Sequence, residues 1–69
     1  MTEKTMTLNL TAREMEALET LSSEKGMSKT AVMRQALRVY QLIDHRMSHG
    51  ERLFFEGDDK RRAEFFLIS

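Results

Sequence analysis

Apolar and polar residues alternate one by one near the start of the chain. Within residues 4–10, Met6, Leu8 and Leu10 are each separated by a single polar residue. The polar members of this pattern are Thr5, Thr7 and Asn9. A period of two predicts a β-strand that is buried on one face. Since no neighbouring segment offers a strand partner, its backbone and apolar face are expected to be covered by the same strand of a second copy.

A helical pattern follows directly. Thr11 and Glu14 have the spacing of a capping box, and Gly26 is suited to the left-handed residue that ends a helix. We therefore predict a first helix over residues 12–25. Apolar residues recur at helical spacing within it, at Met15, Leu18 and Leu21.

A second helix is predicted from residue 29 to about residue 47, after Ser28 as its N-cap and before Gly50. Its apolar stripe is wider than one partner helix requires, which predicts burial against both the first helix and a second subunit. The stripe consists of Val32, Met33, Ala36, Leu37, Val39, Tyr40, Ile43 and Met47.

The final segment changes character. Residues 52–56 and 62–68 are aromatic, β-prone runs separated by a turn signal at 57–60, which predicts a β-hairpin. One face would carry Leu53, Phe55, Ala63, Phe65 and Leu67, and the other Phe54, Phe66 and Ile68. A hairpin that is apolar on both faces needs cover. Its second face is therefore either packed on its own dimer or a surface for a partner protein or another dimer.

These elements predict a mainly α-helical α+β chain. Residues 1–48 would form the principal domain, with an intersubunit two-stranded ribbon, and residues 49–69 a hairpin extension. The chain has 69 residues and no cysteine. Because so small a domain is marginal alone and has no disulfides, oligomerisation is the expected source of stability.

Charge and composition limit the classes of function that are expected for this chain. The 11 basic and 11 acidic residues cancel, but the second helix region is mainly basic. Its basic residues are Lys29, Arg34, Arg38 and Arg46. A small basic surface on a neutral chain predicts weak non-specific binding to DNA, since that binding is mostly electrostatic.

No apolar run is long enough to cross a membrane and no secretory signal pattern is present, so we expect a cytoplasmic protein without membrane association.

The sequence gives little support for catalysis or for metal binding. No nucleophile, base and acid show catalytic spacing, and no glycine-rich phosphate loop is present, so we expect no enzyme activity and no cofactor. His45 and His49 are four residues apart, a spacing that can bind a metal. Because no third ligand is obvious, exposed histidines near a helix end are the favoured interpretation, and no metal site is predicted.

The order of these motifs resembles the ribbon-helix-helix family of DNA-binding proteins, especially its CopG-type repressors. The likeness rests on residues 5–10, the connector at 25–31, and the Ala36-Leu37 pair followed by Tyr40. It implies an obligate homodimer whose paired strands enter the major groove of double-stranded DNA. It further implies that the ribbon residues contact bases and that the start of the second helix holds a phosphate. The implied base contacts are Thr5, Thr7 and Asn9, and the implied phosphate contacts are Ser28, Lys29 and Thr30.

General chemistry agrees with these implied roles. Asparagine bonds adenine through two contacts, threonine contacts bases or the thymine methyl group, and a helix N-terminus attracts phosphate. The leading expectation is a homodimeric, sequence-specific transcriptional repressor, and the sequence leaves open whether its dimers associate further on DNA. The alternative is an antitoxin or interaction protein whose aromatic C-terminal segment binds a partner protein. The candidate partner surface is Phe54, Phe66 and Ile68.

Overall fold

Helix α1 (Ala12–Lys25) begins with the predicted capping box. In the computed structural model, which describes residues 3–66, the Thr11 hydroxyl accepts from the Glu14 N–H at 3.1 Å. The Glu14 carboxylate in turn accepts from the Thr11 N–H at 2.9 Å. This backbone hydrogen bond, together with the Thr11 side chain, lowers the pKa of Glu14. The stabilisation that it adds is present above the usual glutamate pKa and is lost as the pH falls through the lowered one.

The connector between the helices is tied by hydrogen bonds. Gly26 takes the left-handed conformation, with a φ of 62°. Its N–H donates to the Ser23 carbonyl at 3.3 Å, and the Met27 N–H donates to the Ser22 carbonyl at 3.0 Å. The Ser22 hydroxyl also donates to the Met27 carbonyl. These bonds form the motif in which a glycine closes a helix, and they confirm the predicted end of α1.

Helix α2 (Lys29–Ser48) starts two residues after this turn. The Ser28 hydroxyl accepts from the Ala31 N–H at 3.1 Å, which confirms Ser28 as the N-cap. The helix is one residue longer than predicted and is followed by Gly50, which has a φ of 87°.

The end of α2 repeats the closing motif of α1. The Gly50 N–H donates to the Met47 carbonyl at 3.1 Å, and the Glu51 N–H donates to the Arg46 carbonyl at 3.2 Å. The Arg46 guanidinium also donates twice to the Glu51 carboxylate, at 2.9 and 2.7 Å. This bond lowers the pKa of Glu51 and raises that of Arg46. The ion pair between Arg46 and Glu51 therefore reinforces the backbone hydrogen bonds that end α2.

The predicted hairpin consists of β1 (Leu53–Glu56) and β2 (Arg62–Phe65), which run antiparallel. The paired residues are Leu53 with Phe65, Phe54 with Glu64, Phe55 with Ala63 and Glu56 with Arg62. This register confirms the predicted shared face of Leu53, Phe55, Ala63 and Phe65. On that face the Phe55 and Phe65 rings meet edge to face, with centroids 6.1 Å apart. Leu67 and Ile68 lie outside the described residues.

The hairpin loop places a lysine where glycine is usual. The Lys60 N–H donates to the Gly57 carbonyl, and the Gly57 N–H donates to the Arg61 carbonyl, both at 2.9 Å. Lys60 itself has a φ of 63°. This is the pattern of a turn followed by a left-handed bulge residue, and an L-residue with a Cβ is strained in that conformation.

Replacing Lys60 by glycine should therefore stabilise the hairpin. We expect Lys60→Gly to raise the free energy of unfolding by about 1 kcal/mol, because it removes the left-handed strain of a Cβ-bearing residue. Urea unfolding would measure the change. Lys60→Ala is the control, since it removes the same charge but keeps the Cβ. An equal gain in both variants would attribute the effect to charge instead.

The buried core is small. The contacts group the chain into two units, Met1–Met33 and Arg34–Ser69, so that α2 contributes its first residues to one unit and the remainder to the other. Within the part of the chain that is described, only Leu18 and Val32 are buried, and both belong to the first unit. Most of the predicted α2 stripe is exposed, including Leu37, Val39 and Tyr40.

The residues before α1 differ from the sequence prediction in one respect. Residues 3–10 belong to no helix or strand within the single chain. A strand is defined by hydrogen bonds to a neighbouring strand, and the predicted neighbour belongs to a second copy. The described chain is thus a mixed α+β arrangement of two helices and one antiparallel hairpin, and the intersubunit ribbon stays a prediction.

Candidate nucleic-acid interface

The N-terminal segment, residues 4–10, has two chemically distinct sides. Its apolar residues line an open groove of about 290 Å³ in the first unit. The other lining residues come from α1 and the first five residues of α2. The full lining is Met6, Leu8, Leu10, Met15, Leu18, Lys29, Thr30 and Met33. The alternating pattern therefore directs every second side chain towards the helices.

The intervening polar residues have a different environment. Thr5, Thr7 and Asn9 are exposed, and none of them lines the groove. The separation of the two sides agrees with the sequence pattern. The three residues that the family resemblance assigns to base contacts are consequently accessible in the single chain.

The apolar side of the same segment is only partly covered. Met6 is 82% exposed and Leu8 is 50% exposed, whereas Leu10, next to α1, is half-buried. Exposed apolar side chains are ordinary when they occur singly. Here they lie on the same side of the N-terminal segment, and their cover is incomplete within one chain.

The start of α2 lies beside this segment, since Lys29 and Thr30 line the same groove. Ser28 uses the N–H of Ala31, and the first intrahelical bond runs from the Val32 N–H to the Ser28 carbonyl at 3.0 Å. A helix leaves its first N–H groups without intrahelical acceptors. The N–H groups of Lys29 and Thr30 are thus the donors that this helix end presents to an anion.

Lys29 already has an acidic neighbour. Its Nζ lies 3.5 Å from Oε1 of Glu19, and both side chains are more than half exposed. The sequence alone did not predict this contact. Spacing along one helix identifies its faces, but it does not identify which residue of a neighbouring helix each face meets.

The two other basic residues in the middle of α2 are Arg34 and Arg38. Both are exposed, and neither forms an ion pair within residues 3–66. Because Arg34 and Arg38 are four residues apart, they lie on the same side of the helix. They add positive charge to α2 beyond its first turn.

The histidine pair lies at the end of α2. The His45 and His49 rings are 4.4 Å apart between centroids, and Nδ1 of His49 donates to the His45 carbonyl at 2.7 Å. Across residues 3–66, no group of three or more histidine, aspartate or glutamate side chains is arranged to hold a metal.

The suggested partner surface of the hairpin is described in part. Phe66 is 69% exposed. Phe54 is partly shielded, because the Arg62 guanidinium lies over its ring at 4.3 Å from the centroid. Phe54 and Arg62 are therefore on the same face of the hairpin. Ile68 lies outside the described residues.

No known protein family, curated protein or solved structure matches this chain. None of the helices within residues 3–66 is long and apolar enough to cross a membrane.

Proposed function

We propose that this protein is a homodimeric, sequence-specific DNA-binding repressor of transcription. Two N-terminal segments pair as an antiparallel ribbon, whose polar side enters the major groove. A two-stranded ribbon has the dimensions for that groove. The proposal follows the resemblance to ribbon-helix-helix proteins, and the sidedness of the N-terminal segment is the observation that carries it.

That sidedness supports the proposal for a physical reason. A strand that reads DNA must expose one side to the bases and bury the other against its own protein. Met6 and Leu8 line the groove beside the helices but stay largely open, which leaves room for a second copy. Thr7 and Asn9 are exposed and carry hydrogen-bonding groups that suit base edges.

The start of α2 supports a backbone contact. Free N–H groups and the positive end of the helix dipole favour a phosphate, and Lys29 adds a full charge. Phosphate contacts position a protein on DNA without selecting a sequence. In this proposal the ribbon selects the sequence, while residues 28–30 fix the protein on the backbone.

Selection of bound fragments from random DNA tests the function directly. The expected product is a two-fold symmetric motif, because the symmetry of a dimer is reflected in its site. Binding to that motif should exceed binding to random DNA by at least about a thousandfold at physiological salt. Failure to enrich any motif, with only weak salt-sensitive binding, would contradict sequence-specific repression.

The ion pair between Lys29 and Glu19 makes a further prediction. A phosphate near Lys29 must compete with the Glu19 carboxylate, so Glu19→Gln should tighten binding to all DNA sequences. Since exposed ion pairs contribute about 0–1 kcal/mol, we expect a gain of up to about fivefold per subunit. Lys29→Ala should weaken binding to all sequences and reduce the salt slope by about 0.9 per lost phosphate contact. Titrations at several salt concentrations would measure both effects.

Two controls separate local competition from general charge. Glu16→Gln makes the same charge change on α1, at a glutamate with no ion pair within residues 3–66. Its effect should be smaller than that of Glu19→Gln. In addition, Glu19→Gln should gain little in a Lys29→Ala background. Equal gains with and without Lys29 would show that the lysine is not the group for which Glu19 and phosphate compete.

A further inference from the structure

The hairpin has a free edge whose hydrogen-bonding pattern can be worked out. Within residues 3–66 the sheet has two strands, so the outer edge of β1 lacks a strand neighbour. The Gly57 N–H bonds the Arg61 carbonyl, and bonded and non-bonded pairs alternate along an antiparallel ladder. Phe54 and Glu56 therefore occupy non-bonded positions, and their backbone N–H and C=O groups point outward from β1.

This edge can pair with a second copy of itself. In a two-fold antiparallel pairing centred on Phe54, each outward backbone group meets one of the opposite kind. Phe54 lies opposite the partner's Phe54, and Leu53 lies opposite the partner's Phe55. The apolar face of the hairpin, where Phe55 is 61% exposed, then continues across the junction.

The charges on the other face favour this register. Arg52, directly before β1, comes opposite the partner's Glu56, and the two-fold axis repeats the pair. Opposite charges at facing positions stabilise a sheet, and like charges destabilise it. The Arg52 guanidinium also lies 3.8 Å from Glu64 of its own hairpin and is 72% exposed, so it can bridge two carboxylates. The next allowed register instead places Glu56 opposite the apolar Phe54 of the partner subunit.

The outer edge of β2 is less suited to self-pairing. Lys60, Arg61 and Arg62 are consecutive at its start, and Glu64 is the only acidic residue through Phe66. The three basic residues outnumber Glu64, so two copies of this edge carry like net charge and pair less favourably, and charge of one sign is a common protection of edge strands. By contrast, residues 52–56 carry one positive and one negative charge and form a self-complementary set.

We propose that two copies of this chain join through the outer edges of β1 and form a four-stranded antiparallel sheet across their hairpins. This contact is separate from the N-terminal ribbon. If both contacts form, each ribbon dimer carries two such edges, and ribbon dimers associate with one another through their hairpins. The partner is therefore another copy of the same chain, held by backbone hydrogen bonds, phenylalanine packing and two reciprocal ion pairs.

Charge reversal in the full chain tests the register. Sedimentation of the wild type should show a concentration-dependent doubling of mass. Arg52→Glu and Glu56→Arg should each weaken that doubling by at least about tenfold, because both facing pairs become like charges. An equimolar mixture of the two variants should recover the doubling, since each chain then supplies the charge that the other needs. Lys60→Glu, a reversal at a loop residue that forms no ion pair within residues 3–66, is the matched control and should leave the doubling intact.

The mixing step distinguishes the contact between chains from damage within one hairpin. Each substitution also changes a charge contact within its own hairpin, at Glu64 or Arg62, but that change is the same for the variant alone and in the mixture. Recovery in the mixture can therefore come only from pairing between chains. The mass of the smallest species reports on the ribbon separately: association through the hairpins starts from dimers if the ribbon forms and from monomers if it does not. The proposal is wrong if the mass of the wild-type protein never doubles, or if the mixture associates no better than each variant alone. The hairpin edge would then be a site for a different protein.

Discussion

Replacing Asn9 by alanine should abolish most of the discrimination between the selected DNA site and random DNA. A well-made base contact is worth about 1–3 kcal/mol, and a symmetric dimer loses it twice, so the expected loss is about 2–6 kcal/mol at the specific site. Asn9 is exposed on the polar side of the N-terminal segment. Its substitution should therefore leave folding and the dimer intact. Competition titrations against both DNAs would measure the change.

The informative comparison is with the phosphate contact. Asn9→Ala should lower affinity for the selected site and leave binding to random DNA nearly unchanged, because non-specific binding depends on phosphate charge. Lys29→Ala should weaken both by a similar factor. If Asn9→Ala weakens both DNAs equally, Asn9 does not read bases and the proposed orientation of the ribbon is wrong.

A carboxylate on the apolar side of the same segment should prevent the dimer from forming. We expect Leu8→Asp to remove most of the folded dimer, because a charge buried without a partner costs several kcal/mol per chain. In a monomer the same change would have little effect, since Leu8 is 50% exposed within one chain. The effect of one substitution thus reports whether a second copy covers this side.

Thr7→Asp is the matched control, one residue away on the polar side. It should leave the dimer folded but repel DNA phosphates and abolish binding. For the wild type, the unfolding midpoint should rise with protein concentration, as expected where folding and association are coupled. A concentration-independent midpoint, together with a folded monomeric Leu8→Asp, would contradict the proposed dimer.

Local signals in the sequence were sufficient for the helices and the hairpin. Thr11 and Glu14 predicted the start of α1, Gly26 its end and Ser28 the next start, and all four are confirmed. These signals work because each depends on hydrogen bonds within a few residues of its own position. The period of two along a strand likewise predicted the faces of the hairpin, since neighbouring residues in a strand point to opposite sides.

Tertiary structure decided which of these local elements meet. The groove that joins the N-terminal segment to the start of α2, and the contact between Lys29 and Glu19, depend on how α1 and the first turn of α2 pack. A helical period identifies a face but not its neighbour. The left-handed conformation of Lys60 was also not predicted from sequence, because a lysine carries no local signal for it.

The sequence by itself thus determined the elements, their caps and the two-sided character of residues 4–10, because these follow from hydrogen bonds and periodicity close along the chain. Only the tertiary structure decided how few of the apolar side chains are buried within one chain. Leu18 and Val32 are buried among the described residues, while Met6, Leu37 and Phe55 remain exposed. Burial depends on contacts between distant segments or between chains, and for that reason the open apolar surfaces became visible only when the fold was known.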